Sequence, residues 1–184
     1  EILNRIIKKA EAINVSSLHF NFIKDLSKIK KSNVNLLSRK GIQFHWKNDN
    51  YDTFEDFLKK LSSRKRKVIK RERLCLKDNN LTVKRLTGKE ITNEHWDFFY
   101  KCYLNTTGRK WGSTYLTKDF FYEIGKNFTD KILLIIAYNN NQMIASAINF
   151  LSSSHLYGRL WGCLYDIPYL HFELCYYQAI DYAI

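Results

Sequence analysis

Three strand-length runs, Lys131 to Tyr138, Gln142 to Leu151 and His155 to Trp161, are separated only by Asn139–Asn141 and Ser152–Ser154. Connectors this short and polar close hairpins, whereas a parallel pair needs a crossover of a dozen or more residues. The runs therefore predict an antiparallel meander. Strict alternation puts Tyr157, Arg159 and Trp161 on one face of its last strand and Leu156, Gly158 and Leu160 on the other. A loop with Pro168 leads into an aromatic helix over residues 169–184. Asp166 is its expected N-cap, with Pro168 in the first turn, so free N–H groups and the positive dipole end face the strand edge. His171 and Glu173 follow within about a turn, and Tyr177 and Gln178 one turn later. These residues outline a candidate site.

The segment before the meander predicts a strand at Leu81–Leu86 and a helix opening at Thr92 or Asn93, with Trp96, Phe99, Tyr100 and Tyr103 on one aromatic face. Gly108 and Gly112 then bracket Arg109, Lys110 and Trp111. That loop either clamps an anionic or planar ligand or is a helix C-cap with ordinary surface cations. Thr117 opens a further helix through Phe120, Phe121 and Ile124. Residues 81–184 thus read strand, helix, helix, three-strand meander, helix, a mixed α/β (α+β) pattern.

Upstream, Leu3, Ile6, Ile7, Ala10 and Ile13 recur at helical spacing. VSSLHFNFI (15–23) reads as a strand, Asp25 caps a helix to about Lys31, a short helical piece covers Asn35 to Arg39, and GIQFHWK (41–47) reads as another strand. Thr53 or Asp52 caps a helix with Phe54, Phe57, Leu58 and Leu61 on one stripe. That stripe runs into SSRKRKVIKRER. Nine of the fifteen residues from Lys59 to Arg73 are Lys or Arg, with Glu72 the only acid. The run contains Arg64, Lys65, Arg66, Lys67, Lys70, Arg71 and Arg73, and reads as a phosphate-binding helix or as a solvated linker between domains. The formal charge of +12 has the same origin, since residues 1–80 hold 20 Lys+Arg against 9 Asp+Glu.

No apolar run is long enough to span a membrane. Cys75, Cys102, Cys163 and Cys175 show neither a CxxC pair nor a His at ligand spacing, so no metal site is expected and reduced thiols of a cytoplasmic protein are. No helix-turn-helix, zinc-finger or RNP pattern points to DNA. The chain opens on Glu1 and stops inside a periodic helix, and reads as a fragment.

The element order of residues 81–184 resembles the first half of the GNAT (acyl-CoA N-acyltransferase) fold, and residues 1–47 resemble the end of another copy. QFHWKNDNYDTFEDFLKKLSSRKRKVIKRER, TGRKWGSTYLTKDFF, LYGRLWG and LHFELCYYQAIDYAI resemble the FemAB-like family of bacterial proteins, labelled peptidoglycan biosynthesis or recognition and related to Fem-type aminoacyltransferases. The resemblance implies a tandem GNAT-like chain truncated at both ends: 1–48 closing a first domain, 49–80 a basic helical linker, 81–184 opening a second. It also implies an acyl or aminoacyl group passed to an amine acceptor, from acyl-CoA or aminoacyl-tRNA, with Arg64–Arg73 suited to the RNA. The Q/R-x-x-G-x-G/A turn that cradles the CoA pyrophosphate in GNAT enzymes is absent, since the corresponding stretch reads WGCLYDIPYLHFE. Glu173 or His171 is then the expected base or positioning residue and Tyr177 or Tyr157 the proton donor, with Arg109, Lys110 and Arg159 as anion contacts. Trp111, Trp161 and Gln178 complete the substrate side. A catalytically silent scaffold that binds a cell-wall fragment or RNA is the alternative.

Overall fold

A computed structural model of the chain describes residues 2–21, 23, 25, 27, 36–109 and 114–184. They fall into two compact units, Glu1–His45 and Trp46–Ile184.

In the first unit, α1 (Ile2–Ala12) is amphipathic as its spacing predicts, but none of its side chains is buried. The strands expected at 15–23 and 41–47 do not form: the described residues there are irregular, as are residues 36–39 of the expected short helix. An extended segment becomes a strand only when a neighbour takes its N–H and C=O groups. Among the described residues no ladder reaches them, and Ile42 and Phe44 stay 86% and 93% exposed. The helix expected from Asp25 to Lys31 lies largely outside the described residues.

In the second unit, α2 (Phe54–Lys60) is capped by Thr53, whose side chain accepts from the Asp56 N–H, and α3 (Ser63–Asp78) by Ser62, which accepts from the Lys65 N–H. The expected order follows: β1 (Leu81–Thr87), α4 (Asn93–Gly108) with Thr92 as N-cap, α5 (Lys118–Asn127) with Thr117 as N-cap, β2 (Ile132–Asn139), β3 (Gln142–Leu151) and β4 (Leu156–Cys163). The four strands form one antiparallel sheet in the order β1-β2-β3-β4.

Helices cover both faces of the sheet, which explains why β2 is apolar at nearly every position. Ile132, Leu134 and Ile136 join Trp96, Phe99, Tyr103 and Phe121 of α4 and α5. Leu133, Ile135 and Ala137 join Leu76 of α3 with Leu170 and Leu174 near the C-terminus. At Gly162 helix α4 comes so close to β4 that a Cβ would lie 2.2 Å from the Cys102 carbonyl oxygen. Only glycine permits that approach.

The C-terminal helix differs from its expected form. It starts at α6 (Leu170–Phe172), passes through a π-helical turn (Glu173–Tyr177) and ends in α7 (Gln178–Ala183). Its N-cap is Tyr169, held left-handed at φ 66° and making no side-chain cap bond, not Asp166. Asp166 lies four residues upstream of the first helical residue and pairs with Arg109 instead.

Candidate functional site

The inner face of α3 is where the polar groups gather. Ile69, Glu72 and Leu76 recur at i, i+3 and i+7, so the one acid in the basic run falls on the helix's buried stripe. Leu76 enters the core under the sheet, Ile69 packs near Phe54, Leu58 and Tyr177, and Glu72 is 9% exposed. The C-terminal helix meets this face. Its π-turn sends the Gln178 N–H to the Glu173 carbonyl, five residues back, so Gln178 sits over Glu173 where an α-helix would put Tyr177. The Gln178 Nε2 accordingly donates to Glu173 Oε1 at 2.7 Å. Tyr177 is left to turn its hydroxyl to the Glu72 carboxylate, to which it donates a hydrogen bond.

Glu173 is 3% exposed, and its Oε1 also receives Arg73 Nη2 at 3.1 Å. The Arg73 guanidinium lies 4.7 Å from the centre of the Phe54 ring, so α2 roofs the cluster. Glu173 Oε2 is buried and has no hydrogen-bond partner among the described residues. Burial, the hydrogen bond to Glu72 and the charges of Glu72 and Glu173 all push the Tyr177 phenol above its ordinary range, only partly offset by Arg73. The Tyr177 hydroxyl therefore holds its proton, which it donates to Glu72.

The other expected site residues are dispersed. His171 and Glu173 face apart, as their two-residue spacing on a helix requires: His171 is exposed, its ring centre 4.9 Å from Trp161 and 5.7 Å from Tyr176. Tyr157, Arg159 and Trp161 do not share a face. Ile148 pairs with Leu160 but Asn149 with Gly158, so Arg159 is an extra residue and the alternation flips across it. Leu156 and Trp161 consequently pack on the α3 side of the sheet, while Leu160 packs on the α4/α5 side. Arg159 reaches the Tyr115 hydroxyl at 2.9 Å, and Tyr157 stacks on His155. Arg109 is held by Asp166 at 3.0 and 3.1 Å. Lys110 and Trp111 lie outside the described residues.

The basic run divides by helix face. Arg73 points inward to Glu173, Lys70 pairs with Glu55 at 2.6 Å, and Arg66 reaches the Lys59 carbonyl and Ser63 hydroxyl. Arg64, Lys65, Lys67 and Arg71 are exposed and make no ion pair among the described residues. Arg64, Lys67 and Arg71, at i, i+3 and i+7, form one outward stripe.

Glu72 is the site residue that sequence reading passes over. Its signal was present, an acid on the apolar stripe of an otherwise basic helix, but its partner Tyr177 is 105 residues away. Among the described residues no helix is long and apolar enough to cross a membrane. No curated protein matches the chain. The FemAB-like family model, described as peptidoglycan biosynthesis/recognition, matches residues 1–184, and the chain belongs to that family.

Proposed function

We propose that the protein transfers an acyl or aminoacyl group to an amine of a peptidoglycan precursor in the cytoplasm. The observation that carries this reading is the order of the second unit, a strand and two helices followed by an antiparallel meander and a closing helix, in a chain of this family. That order is the opening half of a GNAT-like domain. Residues 1–48 are then the end of a first such domain and 49–80 the connection between them.

The step itself is simple. The acceptor amine attacks the acyl carbonyl, a base takes its proton, and the leaving group, a CoA thiolate or a tRNA 3′ hydroxyl, takes one up. Positioning and a correctly placed proton acceptor supply most of what such a reaction needs. Glu173, with one oxygen uncommitted, is the proposed base, Tyr177 the neutral proton holder beside it, and His171, on the exposed side near Trp161, the second candidate base. Arg109, Arg159, Tyr157, Trp161 and Gln178 belong to the substrate side, with Lys110 and Trp111. The stripe of Arg64, Lys67 and Arg71 suits the phosphates of a charged tRNA, with Lys65 beside it.

The pairing of Glu173 with Arg73 favours a second reading, in which the cluster is a brace and the protein binds a cell-wall fragment or RNA without turnover. One experiment separates them. The protein is offered labelled acetyl-CoA or aminoacyl-tRNA with a peptidoglycan-precursor amine, and product and donor affinity are measured against salt. Product from charged tRNA, with a steep salt slope that Arg64→Glu, Lys67→Glu and Arg71→Glu flatten, supports transfer from tRNA. Salt-sensitive binding without product from either donor overturns the enzyme reading.

A further inference from the structure

On the α4/α5 side of the sheet, a cavity of about 100 Å³ lies between α5 and strands β3 and β4. Its walls are apolar, with Leu116, Phe120, Ile148, Phe150 and Leu160 among them, and Arg159 is its one charged group among the described residues. That is room for roughly three water-sized groups at about 30 Å³ each, more than a close-packed interior ordinarily leaves empty. The bulge in β4 brings the cation there. Strict alternation would send Arg159 and Leu160 to opposite faces, yet both border this cavity. The rim is fixed from below. The buried Tyr103 hydroxyl accepts from the Tyr115 and Leu116 N–H groups at 3.2 Å each, and the Tyr115 hydroxyl accepts from Arg159 Nη2 at 2.9 Å. A phenol oxygen that accepts still has its own O–H to donate, and no described residue takes it. Arg159 likewise makes no ion pair among the described residues. Both side chains are exposed, so the mouth opens to solvent.

We propose that this cavity binds a short aliphatic monocarboxylate, its tail among the apolar walls and its carboxylate on Arg159 and the Tyr115 hydroxyl. The inference goes beyond the acyl-transfer reading, which places Arg159 on the substrate side as an anion contact, and it holds whether or not transfer occurs. Two adjacent donors, one of them cationic, match the two oxygens of a carboxylate. One guanidinium balances one negative charge, so a monoanion suits the site better than a phosphate dianion. The apolar walls offer nothing to a hydrated inorganic anion and stabilise an alkyl chain instead. A volume of about 100 Å³ accommodates a tail of roughly three or four carbons.

The test uses the whole chain without any acyl donor. Sodium butyrate, acetate and octanoate, together with butan-1-ol in sodium chloride, are titrated at matched ionic strength and followed by nuclear magnetic resonance and thermal unfolding. Butyrate should bind saturably and raise Tm. Acetate, two methylenes shorter, should bind roughly fifteenfold more weakly, at about fourfold per buried methylene. Butan-1-ol, with the tail but not the charge, should bind roughly tenfold more weakly. Octanoate should gain at most about fourfold over butyrate, whereas full burial of its four extra methylenes would give roughly two-hundredfold. Arg159→Gln should weaken butyrate about tenfold or more, and Tyr115→Phe, which keeps the ring, about fivefold. Acetate or butan-1-ol binding as tightly as butyrate, an octanoate gain that follows full burial, no saturation by butyrate, or an Arg159→Gln variant that binds unchanged each overturn the proposal. If a variant does not fold, the comparison of the four ligands on the parent protein decides alone. Acyl transfer is measured separately: product without butyrate binding overturns this inference and leaves the transferase reading, whereas butyrate binding without product does the reverse.

Discussion

Replacing Tyr177 by Phe tests the cluster directly. The substitution keeps the ring, which packs with Phe54 and Leu58, and removes only the hydroxyl that donates to Glu72. Burial is thus nearly unchanged and the hydrophobic contribution largely cancels. What remains is Glu72, 9% exposed, with its hydrogen-bond donor gone. Leaving a buried acceptor unsatisfied costs about 1–3 kcal/mol, and more when it is charged, so the expected loss is about 2–3 kcal/mol. Urea unfolding should show it as a lower midpoint at unchanged slope, and heating as a Tm lower by roughly 5–10 °C. Glu72→Gln in the same background should recover much of the loss, because a neutral amide is cheaper to leave partnerless than a carboxylate. A Tyr177→Phe loss below about 0.5 kcal/mol would mean that Glu72 is adequately solvated without the hydroxyl, and the case for a dry cluster would fail with it.

Three other expectations follow from the same geometry. Because Tyr177 has a raised pKa in the folded protein, its contribution to stability is complete below the ordinary tyrosine value of about 10 and is lost as pH rises beyond it; in ultraviolet titration of the native protein, the step missing from Tyr177→Phe should be a late alkaline one. Gly162→Ala would drive a methyl into the Cys102 carbonyl and push α4 off β4, costing about 3 kcal/mol or more by chemical denaturation; a neutral result would show that the helix can retreat freely. Burial, reinforced by Cys163, lifts the Cys102 thiol to about 12, and burial alone lifts Cys175 to about 12. At pH 8 both should resist a thiol reagent in the native protein and react once it is unfolded, and fast native labelling of Cys102 would contradict the packing of α4 on the sheet.

The order of elements in the second unit was legible because each rests on local signals: three-residue polar connectors that permit only hairpins, Thr53 and Thr117 placed to cap, and apolar stripes at helical period. The same local logic fails at 15–23 and 41–47, where the described residues are irregular. A strand is a property of a pair, and alternation in one segment cannot supply the neighbour that completes it. The family, too, was legible, since it rests on long matching stretches and not on geometry.

The site is where sequence alone stopped short. That Glu173, His171, Tyr177 and Gln178 cluster near one helix start is a fact of spacing, but which of them share a direction depended on a π-turn that moves Gln178 over Glu173 and frees Tyr177 for Glu72. One inserted residue at Arg159 likewise separated Tyr157 and Arg159 from Trp161. Neither irregularity has a local signal, because each is stabilised by contacts with other parts of the fold. Composition established that α3 is basic, yet only its packing against the C-terminal helix turned Glu72 and Arg73 inward and left Arg64, Lys67 and Arg71 outside. Period and charge are properties of the chain; which side of a helix is inside is decided by what it packs against.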